Sequence, residues 1–341
     1  MVDLTPAELA GVAATMSEAD VKLQGPLRAE QIAGGRSNLT FRLTDGRGTW
    51  VLRTAPRAGR TPSAHDVARE FRVTKALSAT GFPVPGAVLL VDSEDLLGAP
   101  YTVSDFVEGS CIQTRDELDA LDDRTVSACV DRLVATLAQL HAVDPMAVGL
   151  ERHGRPDGYA ERQVRRWSGQ WELVGSDALG PLASETAELL GSSIPGQRSS
   201  GIVHGDYRID NTILRLGAEV EVAAVVDWEL STLGDPVADV AMMCVYRHPA
   251  LDLVIGQPSA WTSGRLPDVD ALARAYVHAG GVPLDHWDFH MGLGYFKLAV
   301  IAAGIDHRFR AGATSGSGFD TAGDAVAPLL EAGRDLLRRQ R

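Results

Sequence analysis

Between about residues 27 and 55 the apolar positions recur with period two: Leu39, Phe41 and Leu43 share one face, DGRG interrupts the run, and TWVLR returns. Alternation of that kind suits a half-buried strand, so the segment predicts an antiparallel hairpin. Beyond a Pro/Gly-rich link the period becomes helical in HDVAREFRVTKALSATG, where Val67, Phe71, Thr74 and Leu77 form a stripe that Gly81 and Pro83 end. Glu70 falls inside that stripe, as either a solvated flank or a paired charge. GAVLLV and PYTVSDFV read as further strands, and after Gly109 long helices take over. RTVSACVDRLVATLAQLHAV carries Val126, Val130, Leu133, Leu137 and Leu140 on one face, and DGYAERQVRRWSGQWELV is a second, more polar helix. His141 closes the first of these and reads as a satisfied, partly buried histidine. Residues 212–228 revert to strand, with TILRL, a turn at Gly217 and VEVAAVVDW forming a short hairpin. HWDFHMGLGYFKLAVIAAGI is apolar nearly all round and belongs at the centre of a helical lobe, whereas GATSGSGFDTAG reads as a loop. The pattern predicts an α+β chain of two lobes. Residues 1–108 form a small antiparallel sheet with one helix and a connector at 104–108; residues 109–341 are mainly helical, with a hairpin inserted.

Composition narrows the function. A chain of 341 residues is long for one core, which agrees with two lobes. The formal charge of -13 argues against nucleic acid and anionic membrane as partners, since both would repel the protein. Cys111, Cys129 and Cys244 are far apart, which suggests neither a disulfide framework nor a thiolate metal site and predicts a reducing, cytoplasmic setting. MVDLTPAELAGVAATM has acid where a signal peptide needs base, and runs such as FKLAVIAAGI are too short to span a bilayer, so a soluble monomer or homodimer is expected. Lysine occurs only at Lys22, Lys75 and Lys297, so a site that needs a cation is expected to use arginine.

Two polar clusters bracket the second hairpin: HGDYRIDN before it and VVDWELSTLGDP after it. A hairpin brings its ends together, so Asp206, Asn211 and Asp227 would share a small volume, which is costly for bare carboxylates unless a cation or proton compensates them. Hard oxygen ligands without a nearby His or Cys cluster suit magnesium bound with phosphate oxygens. His204-x-Asp206 followed by four residues and Asn211 also matches the kinase catalytic loop, in which Asp accepts a hydroxyl proton and Asn holds metal; Asp227 matches the second metal-binding acid. An HGD triplet alone is equally a turn with Asx caps; the hairpin, Asn211 and Asp227 together give it meaning.

These motifs resemble the aminoglycoside phosphotransferase family, a protein-kinase-like group that phosphorylates small-molecule hydroxyls, and within it the branch with kinase-like domains fused to acyl-CoA dehydrogenases. GGRSNLTF, WVLRTAP, HDVAREFRV, FPVP, VEG, RQVRRW, VHGDYRIDN, VVDWELSTLGDPVADVA and FKLAVIAAGI carry the resemblance almost end to end. It implies a protein-kinase-like two-lobed fold and magnesium-dependent transfer of the γ-phosphate of ATP or GTP, with magnesium bridging the phosphates. By resemblance Asp206 is the general base, Asn211 and Asp227 the metal ligands, and Arg208 the cation that meets the moving phosphate, while His204 braces the loop and Asp239 ties it to a following helix. Gly34, Gly35, Ser37 and Asn38 match the turn that covers nucleotide phosphates, for which a plain hairpin turn is the competing reading. The backbone of Asp105, Phe106 and Val107 matches the connector that meets adenine. Arg53 is a departure: protein kinases place lysine there, paired with a helix glutamate, and Glu70 is the natural partner here. Arginine keeps the charge and forks onto phosphate, with different reach.

The acceptor is the open question. Arg162, Arg165, Arg166, Arg308 and Arg310 are basic groups that suit an anionic acceptor such as a hydroxyacyl-CoA, or are solvated arginines paired with surface acids. The negative chain equally tolerates a cationic aminoglycoside. Trp167 and Trp171 fit core packing better than a stacking platform. Two rival readings are a nucleotide-binding pseudokinase with a regulatory role, which rests on Arg53, and a hydrolase using Asp206, Asp210 and Asp227, which leaves Asn211 and Glu70 unexplained. Neither GxxxxGK[ST] nor a strand-borne GxGxxG occurs.

Overall fold

The computed structural model describes residues 3–32, 38–56, 66–312 and 318–339. Helix α1 (Pro6–Glu18) comes first, then β1 (Arg28–Gln31), β2 (Leu39–Thr44) and β3 (Thr49–Thr54), helix α2 (Val67–Ser78), β4 (Ala87–Val91) and β5 (Tyr101–Asp105). The strands form one antiparallel sheet in the order β1-β2-β3-β5-β4. Phe41, Leu43, Leu52, Tyr101 and Val103 fill its inner face, as the period-two pattern requires. The sequence reading leaves out α1, which lays Val12 and Met16 on this core and whose Thr15 Oγ1 lies 2.8 Å from the Tyr101 hydroxyl. Its start is written in the chain: Thr5 caps the Glu8 amide, Glu8 returns the bond, and Pro6 opens the first turn.

The large lobe follows with α3 (Arg115–Asp119), α4 (Asp123–His141), α5 (Tyr159–Val174), α6 (Gly180–Ser192), β6 (Gly201–Val203), β7 (Thr212–Leu216), β8 (Val220–Val225), β9 (Thr232–Gly234), α7 (Pro236–Val245), α8 (Ala250–Ile255), α9 (Val269–His278), α10 (Trp287–Arg310) and α11 (Val326–Arg338). Helix α10 is the pillar of this lobe and packs against α5, α6, α7 and α11, which explains its apolar circumference. Strand β6 pairs with β9, and β7 with β8, so the segment after β6 and the segment before β9 lie side by side. No helix among the described residues is long and apolar enough to cross a membrane.

Helix α2 joins the two lobes. The helix lies against β4 and β5 of the small sheet, while its Val73 and Leu77, with Phe82 just beyond, pack into the core of the large lobe. Phe82 meets Trp228 edge to face at 6.0 Å, and Pro83 O accepts the Val225 amide at 2.8 Å. At the other end of the helix Arg69 reaches across: Nε and Nη2 donate to Ser231 O at 3.1 and 2.8 Å, and Nη2 donates to His153 O at 2.6 Å. His153 is buried, and its Nε2 lies 2.9 Å from Ser231 Oγ.

Burial, aided by Arg69 and Arg72, pushes the His153 imidazole down from 6.5 to about 4. The folded form therefore resists a proton that the unfolded chain accepts, so stability falls as pH drops from about 6.5 toward about 4. Denaturant unfolding across that window should show a shallower acid loss for His153→Gln than for the wild type.

Candidate active site

The site is assembled at the open end of the β7–β8 hairpin. Thr212 pairs with Val225, and one step further out Asn211 O accepts the Val226 amide at 2.9 Å, so Asp227 emerges directly beside Asn211. Asp227 adopts a left-handed backbone (φ 65°), a conformation that costs a non-glycine residue energy, and its carboxylate meets Arg53. On the β7 side of the mouth Asn211 Nδ2 donates to Asp206 O at 2.7 Å and to Asp206 Oδ2 at 2.9 Å, which turns its amide oxygen away from Asp206.

Behind the carboxylate the loop is held by a buried layer. Asp239, 2% exposed, accepts the His204 amide at 2.5 Å and the Gly205 amide at 2.7 Å. His141 supports Asp239 at 3.4 Å and meets the Tyr276 hydroxyl at 2.8 Å, so it is a satisfied core histidine. His204 Nε2 lies 2.9 Å from Val226 O, which only accepts; Nε2 therefore carries the proton, and Nδ1 accepts the Asp206 amide at 3.3 Å. Gly205 sits at φ 85°, where an added Cβ would lie 2.8 Å from Leu230 O, and its own carbonyl takes a 3.0 Å bond from Lys297 Nζ.

Charge at the front is arranged as two bracketed arginines. Arg208 stands between Asp206 (Nε to Oδ1, 3.3 Å) and Asp210 (Nη1 to Oδ2, 2.7 Å), with its guanidinium 5.2 Å from the Tyr246 ring centroid. Arg53 stands between Glu70 (2.8 Å) and Asp227 (3.4 Å), and its buried Nε has no hydrogen-bond partner among the described residues. Burial pushes Asp206 upward, yet Arg208 and a hydrogen bond with Tyr246 hold it below the ordinary carboxylate range. Glu70 moves the other way: burial outweighs Arg53, nearby Asp227 and Glu229 add to it, and the carboxyl rises to about 7.

The geometry adds detail at several expected positions. Asn38 is buried, and its side-chain amide donates to Glu70 Oε1 at 3.2 Å. Gly34, Gly35 and Ser37 lie outside the described residues. In the connector the amides of Asp105 and Phe106 are engaged by Gly86 O (2.8 Å) and Thr49 O (3.4 Å), so those two residues have only carbonyls left for a base; Val107 follows the last of these bonds. Among the expected anionic-acceptor arginines, Arg162 is tied to the Asp157 and Arg155 carbonyls, Arg165 pairs with Glu161 and Arg310 with Asp306. Trp167 and Trp171 pack on the core.

Other residues join the site that the sequence reading left unassigned. Asp210 is the second bracket of Arg208, Tyr246 touches Asp206, and Lys297 reaches Gly205 from α10. Glu229 lies with Glu70 and Asp227 so that one oxygen of each falls within 4.8 Å of the others. Asp210, Glu229 and Lys297 left a mark in the chain, as the second acid of HGDYRIDN, the acid of VVDWE and one of three lysines. With Asn211 and Asp227, this hard-oxygen set fits a magnesium ion, and the excess of acids over arginines leaves charge for it to neutralise.

Comparison with known proteins gives consistent matches. The profile of the "Phosphotransferase enzyme family" covers residues 28–293. Acyl-CoA dehydrogenase family member 11 of Homo sapiens is 34% identical over 320 residues, 93% of this chain, and the chain spans 41% of that protein's length. A crystal structure from Ralstonia eutropha, described as a candidate aminoglycoside phosphotransferase, superposes with a TM-score of 0.81 at 30% identity, covering 97% of this chain and 98% of the other. Aminoglycoside phosphotransferase APH(4)-Ia, solved as a ternary complex with ADP and hygromycin B, shares the fold with a TM-score of 0.63 at 15% identity over 97% of each chain.

Asp239→Asn keeps the size of the loop anchor but offers one acceptor where two amides point, leaving a buried N–H unpaired. Equilibrium unfolding should show a loss of about 1–3 kcal/mol.

Proposed function

The chain belongs to the phosphotransferase enzyme family, and from that membership we propose a magnesium-dependent small-molecule kinase that moves the γ-phosphate of ATP or GTP to a hydroxyl of a small metabolite. One observation carries the reading: the β7–β8 hairpin opens between Asp206, held by Asn211 and Arg208, and Asp227, linked through Arg53 to Glu70.

In this reading Asp206 receives the proton of the acceptor hydroxyl. A carboxylate held below its ordinary range is a weak base, and a loose phosphoryl transition state asks little of it before the new bond is well formed. Orientation matters more, and the Asn211 and Arg208 contacts fix the carboxylate while the Asp239 layer fixes the peptides before it. Arg208 would face the transferring phosphoryl group. Arg53, with Nε free of protein partners among the described residues, would anchor the inner phosphates, and Gly34, Gly35 and Ser37 would cover them. The carbonyls of Asp105 and Phe106 and the Val107 amide would meet the base. Asn211 and Asp227 would hold magnesium with Glu229 beside them, and the ion supplies charge neutralisation to the phosphate oxygens. The pseudokinase alternative gains nothing from Arg53, since that residue makes the Glu70 pair that lysine makes in kinases.

For the acceptor we favour a hydroxyacyl-CoA or another metabolic hydroxyl over an aminoglycoside. Support comes from the acyl-CoA dehydrogenase name of the human relative and from Arg166 and Arg308, which form no ion pair among the described residues. The three free cysteines support a cytoplasmic setting.

The test is ADP release with magnesium across hydroxyacyl-CoAs, aminoglycosides, choline-like alcohols and sugars. Asp206→Asn should lower turnover by about 10²–10⁴-fold while ATP still binds. Tight ATP binding with no acceptor phosphorylated by the wild type would instead establish the pseudokinase.

A further inference from the structure

Glu70 can serve a nucleotide only if α2 stays where it is, and the residue before it secures the helix. Arg69 belongs to the small lobe by sequence, yet its guanidinium makes three hydrogen bonds of 2.6–3.1 Å to the large lobe, to the carbonyls of Ser231 and His153. Ser231 lies two residues after Glu229 and four after Asp227, and its Oγ donates to Trp228 O at 2.7 Å. Arg69 thus grips the short turn that carries the acidic end of the site. The loop that presents His153 is pressed against the same turn, since a Cβ on Gly154 would lie 2.7 Å from the Leu233 amide nitrogen. At the far end of α2, Val73, Leu77 and Phe82 are buried in the large-lobe core. Glu70 lies between a polar grip and an apolar one, and from this helix it faces Arg53 on β3 and Asn38 just before β2.

We infer that Arg69 is a positioning residue for nucleotide binding: it clamps α2 to the Ser231 turn so that the Arg53–Glu70 pair is assembled before nucleotide arrives. This rests on the kinase reading. Without the clamp the first turn of α2 loses its direct hydrogen bonds to the Ser231 turn, and Glu70 is left to the Arg53 bridge and the apolar packing further along the helix. The job requires arginine, because a planar fork reaches two carbonyls from separate segments while an ammonium on a thinner stem does not hold that geometry.

The experiment combines binding and exchange. Arg69→Met, Glu70→Gln and the double variant are titrated with magnesium and AMP-PNP by calorimetry, and amide hydrogen exchange of residues 67–78 is followed without nucleotide. Arg69→Met should weaken AMP-PNP roughly tenfold and speed exchange in the first half of α2. In the double variant the loss should stay close to that of Glu70→Gln, since Arg69 acts through Glu70. Arg69→Lys, which keeps charge but not the fork, should lose most of the affinity too. Wild-type affinity in Arg69→Met, full rescue by lysine, or losses that multiply in the double variant would each overturn the inference. If the wild type itself does not bind AMP-PNP, the kinase reading fails, and unchanged α2 exchange would separately overturn the clamp. Arg69→Gln replaces the methionine variant if that one does not fold.

Discussion

Carboxylates crowded into one half-buried cleft are the constraint around which this protein is built. Glu70, Asp206, Asp210, Asp227 and Glu229 converge on one hairpin mouth, and like charges about 4 Å apart repel by about 4 kcal/mol even at an effective dielectric of 20. The structure answers by placing each of two arginines between two acids, Arg53 between Glu70 and Asp227 and Arg208 between Asp206 and Asp210. The compensation is uneven. Asp206 stays low because Arg208 and Tyr246 favour its charged form, whereas Glu70 is pushed up chiefly by burial, which Arg53 does not offset and to which Asp227 and Glu229 add. That imbalance leaves uncompensated acid on the Asp227 side and Asp206 as the settled anion.

Such a cluster holds only on a backbone that cannot relax, and the rigidity comes from buried layers. Asp239 takes the amides of His204 and Gly205, Lys297 takes the Gly205 carbonyl, and His204 bridges Val226 to Asp206 through its two ring nitrogens. Both faces of the Gly205 peptides are therefore engaged. The left-handed turn at Asp227 is maintained because Trp228 is buried beside it and donates to Val225 O at 3.0 Å. Local strain is tolerated where surrounding packing leaves no alternative.

Much of this could be read along the chain, for identifiable reasons. The hairpins follow from period-two alternation, and the loop chemistry is local, with Asp206 and Asn211 five residues apart and Asp227 brought to them by one hairpin. The pairing of Arg53 with Glu70 came from the family resemblance, which couples a strand cation to a helix glutamate; the apolar stripe alone left Glu70 open between a solvated flank and a paired charge. Helix α1 was legible but unread, its capping box standing in TPAE. By contrast the contact of Asn38 with Glu70 was not legible, because a polar residue after GG gives no sign of the buried acid it will meet.

Arg69, Tyr246 and Lys297 mark the limit. Arg69 and Tyr246 are ordinary residues in their own segments and Lys297 is marked only by the scarcity of lysine; each matters because a distant element arrives beside it, Ser231 at Arg69, Asp206 at Tyr246 and Gly205 at Lys297. The sequence alone determined the strands, the principal helices and the residues that carry charge to the hairpin mouth, since alternation, stripe and short loops act over a few residues. Only the tertiary structure decided which arginine faces which acid and which helix end is tied across the lobes. Hydrogen bonds and ion pairs act over a few ångströms of space, and distance along the chain says nothing about that once it folds.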